Sequence, residues 1–301
     1  MNLTLTGATG LIGSRLVAAL ENRGDVVTVL SRDPARASGR LGVPAARWDP
    51  VAGPAPVDAL AGRDAVIHLA GEPVAQRWTA SSRELIRESR SQGTANLVAG
   101  LAAADERPRV LVSASASGIY GDRGDEELDE SASPGRDFLA EVCAGWEAAT
   151  DGASTLGLRV VKLRTGIVLD ADGGALAKML PPFRAGVGGP VAGGRQYMSW
   201  IHADDLVGLY LAALDGDEWS GPVNGCAPVA VTNAEFSHAL GRALHRPAVL
   251  PVPGLALRAM YGEMAEIVTG GQRMLPARAQ ALGYRWTHPD LDEALRSALA
   301  S

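Results

Sequence analysis

Short apolar runs alternate with amphipathic stretches through the first 165 residues. Leu3–Thr6, Val26–Leu30, Ala65–Leu69, Val110–Ser113 and Leu158–Leu163 are apolar and bounded by turn residues, which predicts buried strands. Ala45–Trp48 is a weaker candidate strand. Between them, Ile12, Leu16, Val17 and Leu20 share one helical face, as do Leu85, Ile86, Leu97 and Leu101. Strand–helix alternation of this kind predicts an α/β fold, a Rossmann-type doubly wound parallel sheet with right-handed crossovers.

Beyond Gly166 the pattern loosens. Helices are expected around Ala175–Phe183, at Asp204–Leu214 with Asp204 as N-cap, near Asn233–Leu244, and over Asp290–Ala300. This divides the chain into a nucleotide-binding domain, 1–165 plus 201–221, and a smaller, discontinuous α/β substrate lobe, 166–200 plus 222–301. The lobe includes a small C-terminal domain from about residue 250. Ligands are expected between the two, at the carboxyl ends of the strands.

Composition narrows the function classes. The net charge is −6, with no Lys/Arg-rich stripe, so binding to a phosphate backbone is not expected. Two cysteines, Cys143 and Cys226, make neither a disulfide framework nor a Cys-rich metal site. No apolar run approaches the ~18 residues of a membrane span, and no signal sequence is visible. The chain reads as soluble and cytoplasmic, a monomer or homodimer working on a small molecule. Fourteen of its 36 glycines gather at 1–13, 118–124 and 166–194, pointing to turns near a ligand and to a lid in the last segment.

The first cluster carries chemistry. Gly7, Gly10 and Gly13 follow the first predicted strand and open the first helix. The first permits a tight turn, the second lets backbone approach a pyrophosphate, and the third packs helix on strand. Gly7, Thr9, Gly10, Leu11 and Ile12 are therefore the expected phosphate cradle, at a helix N-terminus that favours anions. The second strand ends at Ser31-Arg32, with Arg36 beyond. A guanidinium there pairs with a 2′-phosphate, which favours NADP(H). Asp33 is open to two readings, the ribose-binding carboxylate of an NAD site or the N-cap of a helix begun by Pro34.

Several strings resemble the extended short-chain dehydrogenase/reductase superfamily, which holds the nucleotide-sugar epimerases and dehydratases. They are Thr6–Gly13, His68–Glu72, Glu88-Ser89-Arg90, Ser113–Gly121, Cys143 with Trp146-Glu147, Arg164–Leu169, Gly173–Leu176 and Gly193–His202 leading to Asp204-Asp205. The chain is most similar to an atypical, nucleoside-diphosphate-sugar epimerase-like branch, and Gly283–Leu295 resembles that branch's C-terminal domain of unknown function. The resemblance implies a Rossmann-type fold and NADP(H). It places Leu69, Ala70, Gly71, Ser113, Thr165 and Gly166 at the cofactor, with Ser115 as the catalytic-type serine.

The superfamily's Tyr-x-x-x-Lys is missing. Anchored on Glu147 and Arg164, its frame falls on Leu139 and Cys143, and a shift by one gives Phe138 and Val142. No frame supplies a phenol or an ammonium. Tyr120 and Cys143 remain as catalytic candidates beside Ser115, and Glu147 reads as an ion-pair or packing partner. Glu72, Gln196, Trp200 and His202 are candidate pocket residues, although Trp200 and His202 also suit a core. No metal is expected, since the histidines lack ligand spacing. Three functions follow: an NADP(H)-dependent oxidoreductase acting on a small or nucleotide-linked carbonyl or alcohol, a non-catalytic NADP(H)-responsive binding protein, or a nucleotide-sugar epimerase.

Overall fold

A computed structural model describes residues 1–300, apart from the side chains of 256, 260 and 261. Its strands are β1 (Asn2–Thr6), β2 (Val26–Ser31), β3 (Ala45–Arg47), β4 (Ala65–His68), β5 (Val110–Ala116), β6 (Glu127–Leu128) and β7 (Arg159–Thr165). They continue as β8 (Ile167–Leu169), β9 (Tyr197–Met198), β10 (Trp200–His202), β11 (Gly221–Gly225), β12 (Val231–Thr232) and β13 (Arg273–Met274). The helices are α1 (Leu11–Asn22), α2 (Pro34–Leu41), α3 (Ala80–Ala103), α4 (Phe138–Asp151), α5 (Gly174–Arg184) and α6 (Ala203–Asp215). After them come α7 (Asn233–Leu244), α8 (Gly254–Tyr261), α9 (Glu266–Thr269), α10 (Ala277–Ala281) and α11 (Leu291–Ala300). No described helix is long and apolar enough to cross a membrane.

Seven parallel strands form one sheet in the order β11-β7-β5-β4-β1-β2-β3. The order reverses between β1 and β4, where Thr6 lies opposite His68, and such a switch point opens a crevice at the strand ends. Helices cover both faces. Leu16, Val17 and Leu20 of α1 and Leu206, Leu209 and Tyr210 of α6 bury one face, while Leu97 and Leu101 of α3 pack on Val66 and Leu111 on the other. Ile86 joins that stripe and is fully buried, but Leu85 is 52 % exposed, because at 100° per residue it points more than 100° away from Leu97 and Leu101.

A second core gathers Trp200, Phe236, Leu240 and Leu295 beside α5, α7 and α11. Three short ladders, β10 with β8, β12 with β9 and β13 with β6, tie this lobe together and to the sheet. Three expectations change. β11 pairs with β7 inside the main sheet, so residues 222–225 belong there and not to the lobe. The tail divides its packing: Tyr284 and Trp286 rest on the main core while α11 lies on the second. The N-cap of α6 is His202, whose ring nitrogen accepts the Asp204 amide, and not Asp204.

Candidate nucleotide-binding site and buried polar network

At the switch point two of the glycines are required sterically and the third opens the helix. Gly7 has φ +69°, and a Cβ there would lie 2.6 Å from the Leu69 carbonyl carbon and 2.8 Å from the Ala70 nitrogen. A Cβ on Gly13 would overlap the Gly7 carbonyl and Ala8 Cα, so only glycine lets α1 lie this close to β1. Gly10 is the N-cap of α1 and carries no side-chain cap, and the first turn holds no acid. The first-turn amides around Leu11 and Ile12 therefore have no side-chain cap. Thr9 and Gly10 are exposed beside them. Thr6 Oγ1 accepts the Leu69 and Ala70 amides, each at 3.2 Å, which locks the β4 end against the β1 end. Leu69 and Ala70 are half-buried and Gly71 is exposed, lining the crevice.

At the end of β2 the two readings of Asp33 separate. Its carboxylate accepts the Arg36 amide at 3.1 Å and caps α2, which starts at Pro34. Ser31 Oγ is taken up by the backbone of Asp33. Arg32 and Arg36 are exposed, and their guanidiniums form no ion pair among the described residues. The only carboxylate in this turn is thus committed to the helix, and the cations beside it are unengaged.

The expected catalytic groups lie elsewhere. Ser115 Oγ donates to Glu147 Oε1 at 2.7 Å, inside the contact between β5 and α4. Arg164 of β7 holds the same carboxylate with both ends, Nε at 2.8 Å and Nη2 at 2.9 Å. Its Nη1 donates to the Tyr120 hydroxyl at 2.9 Å, and that hydroxyl donates to Asn224 Oδ1 at 2.7 Å. Tyr120 is 0 % exposed. Burial pushes its phenol up to about 12, against the pull of Arg164. Burial likewise lowers the proton affinity of Arg164, but the bonds to Glu147 outweigh it and the net direction is up. Cys143 is buried, and burial drives its thiol up to about 12 against the opposing charge of Arg90. Ser115, Tyr120 and Cys143 therefore present no free nucleophile, acid or base to the crevice. Ser115 and Tyr120 are held in a satisfied buried network, which stabilises the protonation states it already has.

Other expected positions are redistributed too. Ser113 is fully buried, 3.4 Å from the Thr150 hydroxyl of α4, within the packing of β5 on that helix. Thr165 Oγ1 donates to the Leu163 carbonyl, and a Cβ on Gly166 would lie 2.5 Å from the Ser199 carbonyl oxygen, so this glycine serves the passage from β7 to β8. Gln196 braces loops by donating to Val191 and Val268 carbonyls. Trp200 is 1 % exposed and fills the second core, and His202 is buried as a cap. Of the four pocket candidates only Glu72 stays by the crevice, half-buried, with Gln76 donating to its carboxylate at 3.1 Å. The 173–194 segment is partly helical: the start of α5 packs against Leu11, and Lys178 donates to the Ala75 carbonyl at 3.0 Å.

Sequence spacing missed a histidine cluster. The rings of His202 and His288 lie 3.9 Å apart, with Asp204 beside both. These three have the composition of a metal site, and their ligand atoms lie within 4.8 Å of one another. However, His202 Nδ1 already accepts the Asp204 amide at 3.2 Å, which uses the lone pair a metal needs.

Residues 3–223 match the NAD dependent epimerase/dehydratase family, and residues 252–298 match a domain of unknown function, DUF1731. The chain is 39 % identical over 310 residues to the chloroplastic epimerase family protein SDR39U1 homolog of Arabidopsis thaliana, covering 99 % of this chain and 87 % of that protein. It is 36 % identical to the epimerase family protein YfhF of Bacillus subtilis, covering 100 % and 98 % of the two chains. Among solved structures, human epimerase family protein SDR39U1 (isoform 2), crystallised with NADPH, superposes with a TM-score of 0.89 at 33 % identity over the full length of both chains.

Proposed function

Since the chain belongs to the NAD dependent epimerase/dehydratase family, we propose that it is an NADP(H)-binding oxidoreductase acting on a small or nucleotide-linked carbonyl or alcohol. The observation that carries the choice of cofactor is the β2 turn, where Asp33 is spent on capping α2 while Arg32 and Arg36 are unpaired. The relative crystallised with NADPH supports the same choice. The first-turn amides of α1 with Gly7, Thr9 and Gly10 hold the pyrophosphate. The Leu69–Gly71 backbone lines the ribose side, and Arg32 with Arg36 takes the 2′-phosphate. The nicotinamide, when bound, supplies hydride exchange with a substrate carbon. The chain's own contribution is to orient the two partners and exclude water under α5.

A second reading is favoured by one observation. The Tyr-x-x-x-Lys frame holds Leu139 and a buried, protonated Cys143, and the nearest phenol is locked between Arg164 and Asn224. A protein that binds NADP(H) and responds to it without turnover fits that arrangement. Epimerisation by hydride removal and return ranks below both, because it also needs a proton carrier.

Thermal shift with NADPH and NADH tests the cofactor reading, and NADPH is expected to give the larger stabilisation. Arg32→Ala should weaken NADPH about tenfold and leave NADH nearly unchanged, in line with the loss of one charged contact to phosphate. Equal shifts from the two nucleotides would defeat the β2 argument. A panel of carbonyl and alcohol substrates, followed by NADPH absorbance, separates the enzyme from the binding protein.

A further inference from the structure

Arg90 is a half-buried arginine of α3 and forms no ion pair with any described residue. Its guanidinium lies under the turn that follows β4. Nη1 donates to the Glu72 carbonyl at 2.9 Å and the Ile86 carbonyl at 3.3 Å, so one end braces the turn. Nη2 and Nε bond to no described acceptor. The Glu72 carboxylate is not an ion-pair partner and takes Gln76 instead. The other carboxylate of this region, Glu147, is already held by Arg164 and Ser115.

Three neighbours define what surrounds the free edge. A Cβ on the exposed Gly71 would lie 3.2 Å from the guanidinium carbon and 3.3 Å from Nη2. Glycine there lets the guanidinium pack directly against the exposed turn that lines the crevice. On the α4 side the charge stands 5.0 Å from the Trp146 ring, and the buried Trp146 Nε1 also has no acceptor. Next to Trp146 on that helix is Cys143, in the frame where the superfamily pattern would place an ammonium. A contrast is given by Arg159, which likewise lacks a carboxylate but spends both Nη atoms on the α6 C-terminal carbonyls Ala213 and Leu214 and on Trp219. Arg90 thus concentrates a desolvated positive charge and unmatched donors at one wall of the crevice, which is the composition of an oxyanion site.

Resting on the reading of the crevice as an NADP(H) site, we propose that the free edge of Arg90 binds the carboxylate or phosphate of the substrate, so that the substrate is an anion. The charge arrives from α3 and not from the Lys frame on α4. A guanidinium in this position orients and holds an oxyanion but does not release a proton.

The test uses the full chain saturated with NADP⁺, so that its phosphate sites are filled. Sodium acetate and sodium phosphate are titrated separately against sodium chloride at constant ionic strength, with Tm and tryptophan fluorescence as readouts. One of the two should raise Tm saturably in the wild type. Acetate alone assigns a carboxylate, and phosphate alone a phosphoryl group. Arg90→Gln should abolish the shift while the NADPH Kd stays within twofold. Arg90→Lys keeps the charge without the fork, and covers the case in which the Gln variant does not fold. It should raise the anion midpoint at least threefold or remove the response. An anion response absent from the wild type, unchanged in Arg90→Gln, or unchanged in midpoint in Arg90→Lys overturns the proposal. So does a tenfold loss of NADPH affinity in Arg90→Gln, which would make Arg90 a cofactor ligand. If NADPH fails to bind the wild type, the cofactor reading falls separately from this one.

Discussion

His68 makes folding sensitive to mild acid. The ring is fully buried at the end of β4, with Nδ1 2.7 Å from Thr6 Oγ1 and Nε2 3.0 Å from Thr94 Oγ1. Burial first, and the Arg90 charge second, pull its pKa from 6.5 down to about 4. Local bonding agrees. Thr6 Oγ1 already accepts two amides, so its own hydrogen points at Nδ1 and the imidazole carries its proton on Nε2. A second proton at Nδ1 would meet a donor. The unfolded chain binds that proton near pH 6.5 and the folded chain only near 4, so the unfolded state holds more protons between these values. The stabilisation is therefore complete above pH 6.5, shrinks as pH falls, and its loss levels off below about 4. At ~1.4 kcal/mol per pH unit the whole loss is about 3 kcal/mol, and roughly 2 kcal/mol of it is reached by pH 5. His202 is also held neutral, by burial and then by His288, and adds loss in the same direction. Urea unfolding at pH 7.5 and pH 5.0, for the wild type and His68→Asn, isolates the contribution. The variant's absolute stability is irrelevant to the comparison, but its drop between the two pH values should be smaller by about 2 kcal/mol. Equal drops would refute the reasoning, as would a His68 ring signal in NMR that titrates near 6.5.

Glu147→Ala strands Arg164 beside Tyr120 and should cost about 3–5 kcal/mol in urea unfolding, whereas Glu147→Gln, which keeps hydrogen-bond acceptance, should cost less. A loss under 1 kcal/mol for the alanine variant would mean the network is not closed as described. Cys143 and Cys226, both buried with thiols pushed upward, should resist a thiol reagent in the folded protein at pH 8 and react only on unfolding. Rapid native labelling at Cys143 would restore it as a reactive group.

Local sequence determined the parts that depend on near neighbours. The alternation of apolar runs and amphipathic stretches located β1, β2, β4, β5 and β7 within a few residues, and α7 as Asn233–Leu244. The Gly7–Gly13 spacing was legible because Gly7 and Gly13 answer steric demands and Gly10 opens the helix, all within a few residues. Asp33-Pro34 offered the cap as one of two readings, and the fold decided for it. The side on which a strand residue is buried, and its partner there, depended on contacts far along the chain. Ser115 looked catalytic by position, yet its hydroxyl turns to Glu147, 32 residues on. Trp200 and His202 sat in a polar, aromatic string that suits a pocket, but packing against α7, α11 and His288 took them into the interior. Residues 222–225 fell within the segment assigned to the lobe, and β11 still joined the main sheet by pairing with the edge of β7. Arg90 was only one charge in a helix until α3 crossed the end of β4 and set its guanidinium beneath Gly71. Periodicity and turn chemistry act over a few residues, and so a sequence shows them. Desolvated charge acts through space, and only the folded chain shows which donors are left without acceptors.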